Sequence, residues 1–398
     1  TAWLILQGIE TLPLRMARHV DNTRRVTEFL AAHPMVERVA YPGLPSHRDH
    51  ALAQRLLPRG AGAVFSFDLA GTREQGRRFI ESLALWLHQF APSDRQAALD
   101  LVLDRLVFIS DAEFSHLVLT AYRDLIVQER MRLVSEEYEI PSFRVREIAR
   151  HRRFEQLRLT SLYLGLSDGA RTNELRRASD GEIGNEQIWQ AYELGDEKAE
   201  DMLEDLGASL NRAGFASDDP RFNLIWLLDD FSGSGNTYIR YDGASRRFKG
   251  KLPKIYQRLQ QQGMVDRSHY EVFLLLYTAT RQAIDHIEYW SERFTTDHGV
   301  KPLQLRVLCP IEAEVALTRN VRPELQVLLS NPAYSNKGVV DKHFLVGGTD
   351  DPSLGFAGCA LPVVLGHNTP NNSVFLLWGP EQFKPHGLFP RVSRHREF

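Results

Sequence analysis

The chain has 398 residues, of which 43% are hydrophobic, and it carries a formal net charge of −3. This length is typical of two or three domains with packed cores. The near-neutral charge gives no general attraction to nucleic acid or to an anionic membrane, so we expect neither as a partner. The longest apolar runs, LIWLL at 224–228 and VFLLLY at 272–277, are far shorter than the roughly 20 residues that cross a bilayer.

Cysteine use and the first residues indicate a cytoplasmic protein. The two cysteines, Cys309 and Cys359, lie among apolar or small residues, and no basic segment followed by an apolar stretch and a small-residue cleavage site opens the chain. Because the first residue is Thr1, the sequence is also consistent with processing or truncation.

Residues 1–83 carry the pattern of a small α+β segment. Apolar residues at helical spacing over 3–30 predict an amphipathic helix. VERVAYPGL, at 36–44, predicts a short strand and a turn, AGAVFSFDL at 61–69 predicts a strand, and TREQGRRFIESL predicts a further helix.

Three stretches of this segment closely match a known enzyme family. QGIETLPLRMARHVDN, VAYPGLPSHRDHALAQRLLP and GAGAVFSFDLAGTREQGRRFIESL closely resemble part of the C-terminal half of the O-acetylhomoserine sulfhydrylases, enzymes that hold pyridoxal phosphate on a lysine. Residues 1–83 contain no lysine, so we do not expect pyridoxal phosphate to bind. We interpret the segment as a truncated fragment, fused in frame, whose apolar faces lack their usual cover.

Residues 84–158 predict a small helical region. Ser93 with Gln96 and Ser110 with Glu113 both fit a capping box, and apolar residues follow each at helical spacing. The arginine-rich stretch 143–159 interleaves its charges with apolar residues, which favours a helix with one solvated basic face over a nucleic-acid site.

From residue 159 to 398 the chain alternates apolar runs with helical patterns. The strand-like runs are SLYLGL, NLIWLLDD, EVFLLLY and LQLRVLCP, and an acidic helical stretch surrounds EQIWQAYELGDEKAEDMLEDL. Such runs predict an α/β fold with a parallel sheet buried on both faces, and ligands of these folds bind at the carboxyl ends of strands.

One strand end carries paired acids and a loop of small residues. Asp229 and Asp230 suit sugar hydroxyls or a magnesium ion. A loop rich in glycine and hydroxyl groups can surround a phosphate, with added attraction if a helix follows. The residues of that loop are Ser232, Gly233, Ser234, Gly235, Asn236 and Thr237. The arrangement indicates a ribose 5-phosphate site, although a glycine-serine loop is also a common connection.

IWLLDDFSGSGNT resembles the signature of type I phosphoribosyltransferases. The resemblance implies that Asp229 and Asp230 contact the ribose hydroxyls of phosphoribosyl pyrophosphate and a Mg²⁺ ion, and that residues 232–237 hold its 5-phosphate. Gly233 departs from the threonine that the family commonly has.

An earlier loop, YLGLSDGAR, stands where these enzymes bind pyrophosphate. The candidate ligands are Ser167, Asp168, Gly169 and Ala170, and Arg171 would neutralise the leaving group. Asp168 is an acid where a neutral or basic residue is usual, and a simple turn remains the alternative.

More widely, residues from about 84 onward resemble a phosphoribosyltransferase-like bacterial family with a C-terminal extension, found beside defence or conflict genes. The matching motifs are LGLSDGARTNELRR, LLDDFSGSGNTYIR, FAGCALPVVLGHNTPNNSVFLLW and LFPRVSRH. Within the extension Lys337 and Lys342 are candidates to reach phosphates, and His367 with Asn368 to meet a base or sugar; surface lysines and an exposed turn are the alternatives.

The expected architecture is therefore a parallel-sheet phosphoribosyltransferase-like domain, preceded by a small helical region and a truncated α+β fragment. The expected ligand is a phosphoribosyl or nucleotide small molecule with Mg²⁺. Transfer of the phosphoribosyl group to an acceptor, and nucleotide sensing or protein interaction without catalysis, both stay open.

Overall fold

A computed structural model describes residues 12–33, 36–69, 73–215, 218–318 and 321–391. It contains two compact units, Thr1–Leu106 and Val107–Phe398. The sequence-based boundaries at 83 and 158 stay predictions.

The first unit contains one antiparallel strand pair and several helices. Its elements are α1 (Leu12–Ala32), β1 (Val36–Ala40), α2 (His50–Leu56), β2 (Ser66–Leu69), α3 (Arg73–His88), α4 (Arg95–Asp100) and a π-helical segment (Leu101–Arg105). Strands β1 and β2 pair, and a small core forms around Leu30, Val39, Tyr41 and Leu44. The part of the first predicted helix that covers residues 3–11 lies outside the described residues. Large apolar side chains, such as Val64 at 87% exposure, remain on the surface.

One of the two predicted capping boxes is present. Ser110 accepts from the backbone N–H of Glu113, whose side chain accepts from the Ser110 N–H at 2.7 Å. The box at Ser93 is wrong, because α4 begins after Asp94 and the Ser93 hydroxyl donates to the Asp94 carboxylate instead.

The second unit opens with helices and continues as alternating strands and helices. The opening elements are β3 (Val107–Ile109), α5 (Asp111–Thr120), a π-helical segment (Ala121–Ile126), α6 (Val127–Glu137), α7 (Val145–Arg150) and α8 (Arg152–Leu159). The alternating elements are β4 (Ser161–Gly165), α9 (Thr172–Ala178), β5 (Ile188–Gln190), α10 (Asp196–Arg212), β6 (Leu224–Ser232), β7 (Arg240–Asp242), β8 (Arg247–Lys249), α11 (Lys251–Gln261), β9 (Glu271–Thr280), α12 (Arg281–His298) and β10 (Leu303–Ile311). The chain ends with α13 (Pro323–Ser330), β11 (Val363–Leu365) and α14 (Phe375–Trp378).

The predicted parallel sheet is confirmed. Five strands lie in the order β10, β9, β6, β4, β5, and every neighbouring pair is parallel. Strand β5 was not expected, since IWQ falls within a stretch that reads as acidic helix; the helix begins only at Asp196. The short strands β3 and β11 form a separate parallel pair.

The sheet is buried on both faces, as the unbroken apolar runs predict. Alternate residues of β6 face opposite layers: Ile225 and Leu227 pack with α10, α11 and α12, whereas Trp226 and Leu228 pack with the opening helices and β11. Trp226 also stacks on Phe273 of β9, with ring centroids 4.2 Å apart.

The arginine-rich stretch forms α7 and α8, and three of its six arginines are ion-paired. Arg153 pairs with Glu137 at 3.0 Å, and Arg158 pairs with Glu155 at 2.6 Å. This agrees with a solvated, ion-paired face. No helix among the described residues is long and apolar enough to cross a membrane.

Replacement of a central sheet residue should destabilise this unit strongly. Leu274, on β9, is fully buried, so Leu274→Ala should lower the free energy of unfolding by about 2 to 5 kcal/mol through lost burial and a residual cavity. Urea denaturation of the parent and of the variant, followed by circular dichroism, would measure this difference in the free energy of unfolding. Val327→Ala, at a side chain 65% exposed, is the control and should stay within about 0.5 kcal/mol of the parent. Equal effects would contradict the assigned core.

Candidate functional site

The candidate site lies at the edge of the sheet where β6 extends beyond the end of β4. Strand β4 ends at Gly165, opposite Leu228, while β6 continues to Ser232 beside β9. The start of the following loop stays beside β6, because the Leu166 N–H donates to the Leu228 carbonyl at 2.8 Å. Loop 166–171 therefore lies against Asp229 and Asp230, as expected for two strand ends at one sheet edge.

Asp229 is buried and has three side-chain partners. The Ser167 hydroxyl donates to Oδ1, and the Tyr238 hydroxyl donates to Oδ2 at 2.8 Å. The Lys251 ammonium, on the first residue of α11, contacts the same Oδ2 at 3.0 Å. The carboxylate thus joins the first loop, the end of the second loop and a helix.

Asp230 takes its partners from other segments. His367 Nε2 lies 2.8 Å from Oδ2, and the Phe231 N–H donates to Oδ1 at 2.8 Å. The edge of the Phe114 ring contacts the imidazole, with centroids 5.5 Å apart. His367, which was a candidate to meet a base or sugar, thus lies beside Asp230 in the structure, and its contact with a ligand stays a prediction.

The two carboxylates have opposite electrostatic environments. Burial raises the pKa of Asp229, since the attraction of Lys251 compensates the lost hydration only in part and Asp230 repels it. Burial also acts on Asp230, but the hydrogen bond and charge of His367 outweigh it and hold the pKa of Asp230 below its ordinary value. Asp230 is therefore the acid of the pair that ionises more readily.

The first loop approaches the acids so closely that only glycine fits at its centre. A Cβ on Gly169 would lie 2.2 Å from Asp230 Oδ2. The neighbouring Ala170 carbonyl accepts from the Tyr277 hydroxyl of β9 at 3.0 Å, which fixes the loop from below.

The second loop is held from the side of the C-terminal extension. The Gly233 carbonyl accepts from the Thr280 hydroxyl at 2.6 Å and from the Cys359 thiol at 3.4 Å. A Cβ on Gly233 would lie 2.3 Å from Asn372 Cγ, so the threonine common in the resembling family has no room here.

Only one end of that loop is open. Ser232 and Ser234 are buried and Gly235 is enclosed, whereas Asn236 is partly exposed and Thr237 is exposed. A helix does not follow directly, because the β7 and β8 hairpin intervenes. The N-terminus of α11 nevertheless returns to the loop, with the N–H groups of Lys251 and Leu252 donating to the carbonyls of Thr237 and Tyr238.

Arg171 lies at the edge of the first loop and is already paired. Its guanidinium contacts the carboxylates of Asp111 and Glu174 and lies over the Phe114 ring at 5.2 Å. The Tyr192 hydroxyl donates to Asp168 at 2.8 Å, so this acid also has a partner within the protein.

The C-terminal lysines are exposed. Lys337 pairs with Asp350 at 2.8 Å, and Lys342 lies on the surface. Asn368 lies in the turn after β11, where its N–H donates to the Leu365 carbonyl. None of the recorded contacts of the described residues joins Lys337 to loop 232–237.

Sequence reasoning missed Tyr238, Lys251 and Asn372. Tyr238 directly follows the loop, but the sequence pattern does not distinguish a tyrosine that donates to Asp229 from one that only packs in the core. Lys251 opens a helix after a glycine, a signal that points to the site only once the hairpin is known to return the chain.

Comparison with protein families assigns most of the chain to one family. The sequence profile of the PRTase-CE family matches residues 83–391. The chain belongs to the PRTase-CE family. Its phosphoribosyltransferase-like nature therefore agrees with the α/β fold and with the strand-end loops described above.

A second profile, of Cys/Met metabolism PLP-dependent enzymes, matches residues 1–93. The segment is 48% identical over 86 residues to the O-acetyl-L-homoserine sulfhydrylase of Leptospira meyeri, covering 21% of this chain and 20% of that protein. It is 48% identical over 83 residues to the homocysteine synthase of Schizosaccharomyces pombe, covering 21% of this chain and 19% of that protein. The chain thus spans about a fifth of the length of the curated relatives it matches. Since residues 1–93 contain no lysine, they do not fit a pyridoxal phosphate Schiff base.

The different environments of the two acids predict different effects on stability. At pH 7, Asp229→Asn should lower the free energy of unfolding less than Asp230→Asn does, because removing a buried charge with a raised pKa relieves part of the cost of ionising it. Asp230→Asn should lower it, because a depressed pKa contributes stability above the ordinary value of 3.8.

Urea denaturation between pH 7 and pH 3 would measure both effects. The stability of the parent relative to Asp229→Asn should rise as the pH falls through the raised pKa of Asp229 toward 3.8, because the folded protein then binds the proton. The stability of the parent relative to Asp230→Asn should stay nearly constant down to 3.8 and fall below it, where the unfolded chain binds the proton first. A larger loss for Asp229→Asn than for Asp230→Asn at pH 7 would contradict the electrostatic assignment.

Proposed function

We propose that this protein binds a ribose 5-phosphate ligand, with phosphoribosyl pyrophosphate as the expected donor, and transfers the phosphoribosyl group to an acceptor. The observation that carries the proposal is the meeting of two loops at one sheet edge. Ser167 contacts Asp229, and Gly169 lies directly against Asp230. A ligand at this edge would touch both loops, which is the arrangement expected of a doubly wound α/β fold.

Ribose hydroxyls would be bound by Asp230, whose carboxylate keeps its charge and is 15% exposed. Asp229, 4% exposed and compensated by Lys251, would act mainly by fixing the loops. The phosphate would lie at Asn236 and Thr237, the open end of the second loop.

Asp230 fits a magnesium ion whose shell is completed by ligand oxygens and water. Asp230 would hold the ion, because Asp229 lies toward the opposite face of β6 and its oxygens are engaged by Ser167, Tyr238 and Lys251. Mg²⁺ would supply charge neutralisation for the departing pyrophosphate. Among the described residues no cluster of three or more metal-ligating side chains occurs, so the ligand itself would contribute to the metal site.

In the proposed reaction the bond from ribose C1 to a pyrophosphate oxygen breaks and a bond from C1 to the acceptor forms. The electron pair leaves with pyrophosphate, and positive charge develops on the ribose ring beside Asp230. Preorganised carboxylates stabilise such charge without rearrangement. For Arg171 to contact pyrophosphate, its guanidinium would have to leave Asp111 and Glu174.

That pairing favours a second candidate, a nucleotide-sensing or interaction module that does not catalyse transfer. Asp168 in the first loop and the missing hydroxyl at Gly233 point the same way. A role in bacterial defence or conflict, suggested by the family resemblance, is compatible with either candidate, as is a protein partner.

Calorimetry with phosphoribosyl pyrophosphate and Mg²⁺ tests the proposal. The parent should bind, and an Asp229→Asn, Asp230→Asn variant should lose binding, because neither the ribose hydroxyls nor the ion would keep a charged acceptor. Release of pyrophosphate on incubation with candidate acceptors would then separate the transferase from the sensor. A folded parent that does not bind would overturn both.

A glycine substitution tests the loop contact alone. Gly169→Ala should weaken binding of phosphoribosyl pyrophosphate at least about tenfold, because a Cβ 2.2 Å from Asp230 must displace the loop or the acid. Gly195→Ala is the matched control, since an added Cβ there meets nothing within 4 Å. Calorimetry would measure both affinities. Unchanged binding by Gly169→Ala would contradict the assignment of the ligand to this sheet edge.

A further inference from the structure

A basic cavity opens beside the exposed end of the second loop. Its volume is about 510 Å³, within the range of small-molecule sites. It is lined by Thr237, Arg240, Phe248, Lys249, Gly250, Lys251, Pro253 and Lys254. Four of these eight residues are cations and none is an acid.

The four cations converge because of two local geometries. Arg240 and Lys249 are direct partners across the antiparallel hairpin of β7 and β8, so their side chains share one face. Lys251 and Lys254 lie three residues apart at the start of α11, which places them on one side of the helix. The hairpin and the helix thus present two cations each to a common space.

Compensation of this charge is incomplete. Lys249 pairs with Asp242 and Lys251 with Asp229. Arg240 donates to the Asn236 carbonyl at 3.0 Å, which bears no net charge, and Lys254 is exposed. Grouping like charges in a concave surface costs free energy that a bound polyanion would offset.

We propose that this cavity receives the phosphoryl groups beyond the first of a ribose 5-polyphosphate, as in a nucleoside 5′-triphosphate. The inference rests on the proposed function, because it extends the 5-phosphate position at Asn236 and Thr237 into the adjoining cavity. Thr237 belongs both to the loop and to the cavity lining, so a chain of phosphates can continue from one to the other without crossing protein. A ribose 5-monophosphate would leave Lys254 and Arg240 without an anion.

Calorimetry with three probes at fixed ionic strength tests the inference: adenosine monophosphate, adenosine triphosphate and inorganic tripolyphosphate. The triphosphate should bind at least about tenfold more tightly than the monophosphate, since added charge-assisted contacts are each strong. Equal affinities would overturn the inference and leave the ribose 5-phosphate site intact. Tripolyphosphate binding without monophosphate binding would support the cavity but overturn the ribose 5-phosphate assignment.

Substitutions test whether the cations of the cavity cause the preference for triphosphate. Arg240→Gln with Lys254→Gln should reduce the preference for triphosphate over monophosphate, measured within the same variant, to below about twofold, because two cations that would contact the distal phosphates are lost. Lys198→Gln with Arg267→Gln removes the same charge outside the cavity and should keep the preference. Since Arg240 also supports the loop, the single Lys254→Gln variant should show a smaller loss in the same direction. A preference that survives in both cavity variants would contradict the assignment.

Discussion

The buried carboxylate of Asp229 is the contact on which the arrangement of this site depends. It accepts from Ser167 in the first loop and from Tyr238 beyond the second, and it is paired with Lys251 at the start of α11. A buried charge is tolerated only when it is paired and hydrogen-bonded, so these three segments are held together by one requirement. The sheet edge therefore keeps its geometry without a bound ligand.

The period of a strand explains why the neighbouring acids differ so much. Successive side chains leave a strand toward opposite faces, so Asp229 finds partners in the layer of α11 and Asp230 finds His367 in the layer of the C-terminal extension. One acid thereby becomes a tie between segments and the other a more exposed anion. A pair that looks redundant in sequence carries two separate tasks.

Local patterns predicted those parts of the molecule that depend on neighbouring residues. Strands β6 and β9 were predictable because burial on both faces requires unbroken apolar runs, and the acids were predictable because ligands in such folds lie at strand ends. Strand β5 was missed because three residues cannot establish a period.

Partners distant in sequence could not be predicted in the same way. Lys251 is 22 residues from Asp229, and His367 is 137 residues from Asp230, so both pairings depend on the return path of the chain. Ser93 failed as a helix cap for a different, local reason: the helix begins one residue later, with Asp94 at its N-cap position.

The close packing of Gly233 against Asn372 gives the extension a part in deciding the loop sequence. Because the two positions compete for one volume, they should have changed together as the family diverged: a relative with threonine at the first position needs a smaller or displaced residue at the second. The extension is then more than an addition to an older fold. In this chain the extension therefore excludes a side-chain hydroxyl at position 233, and the exposed hydroxyl of the loop is that of Thr237.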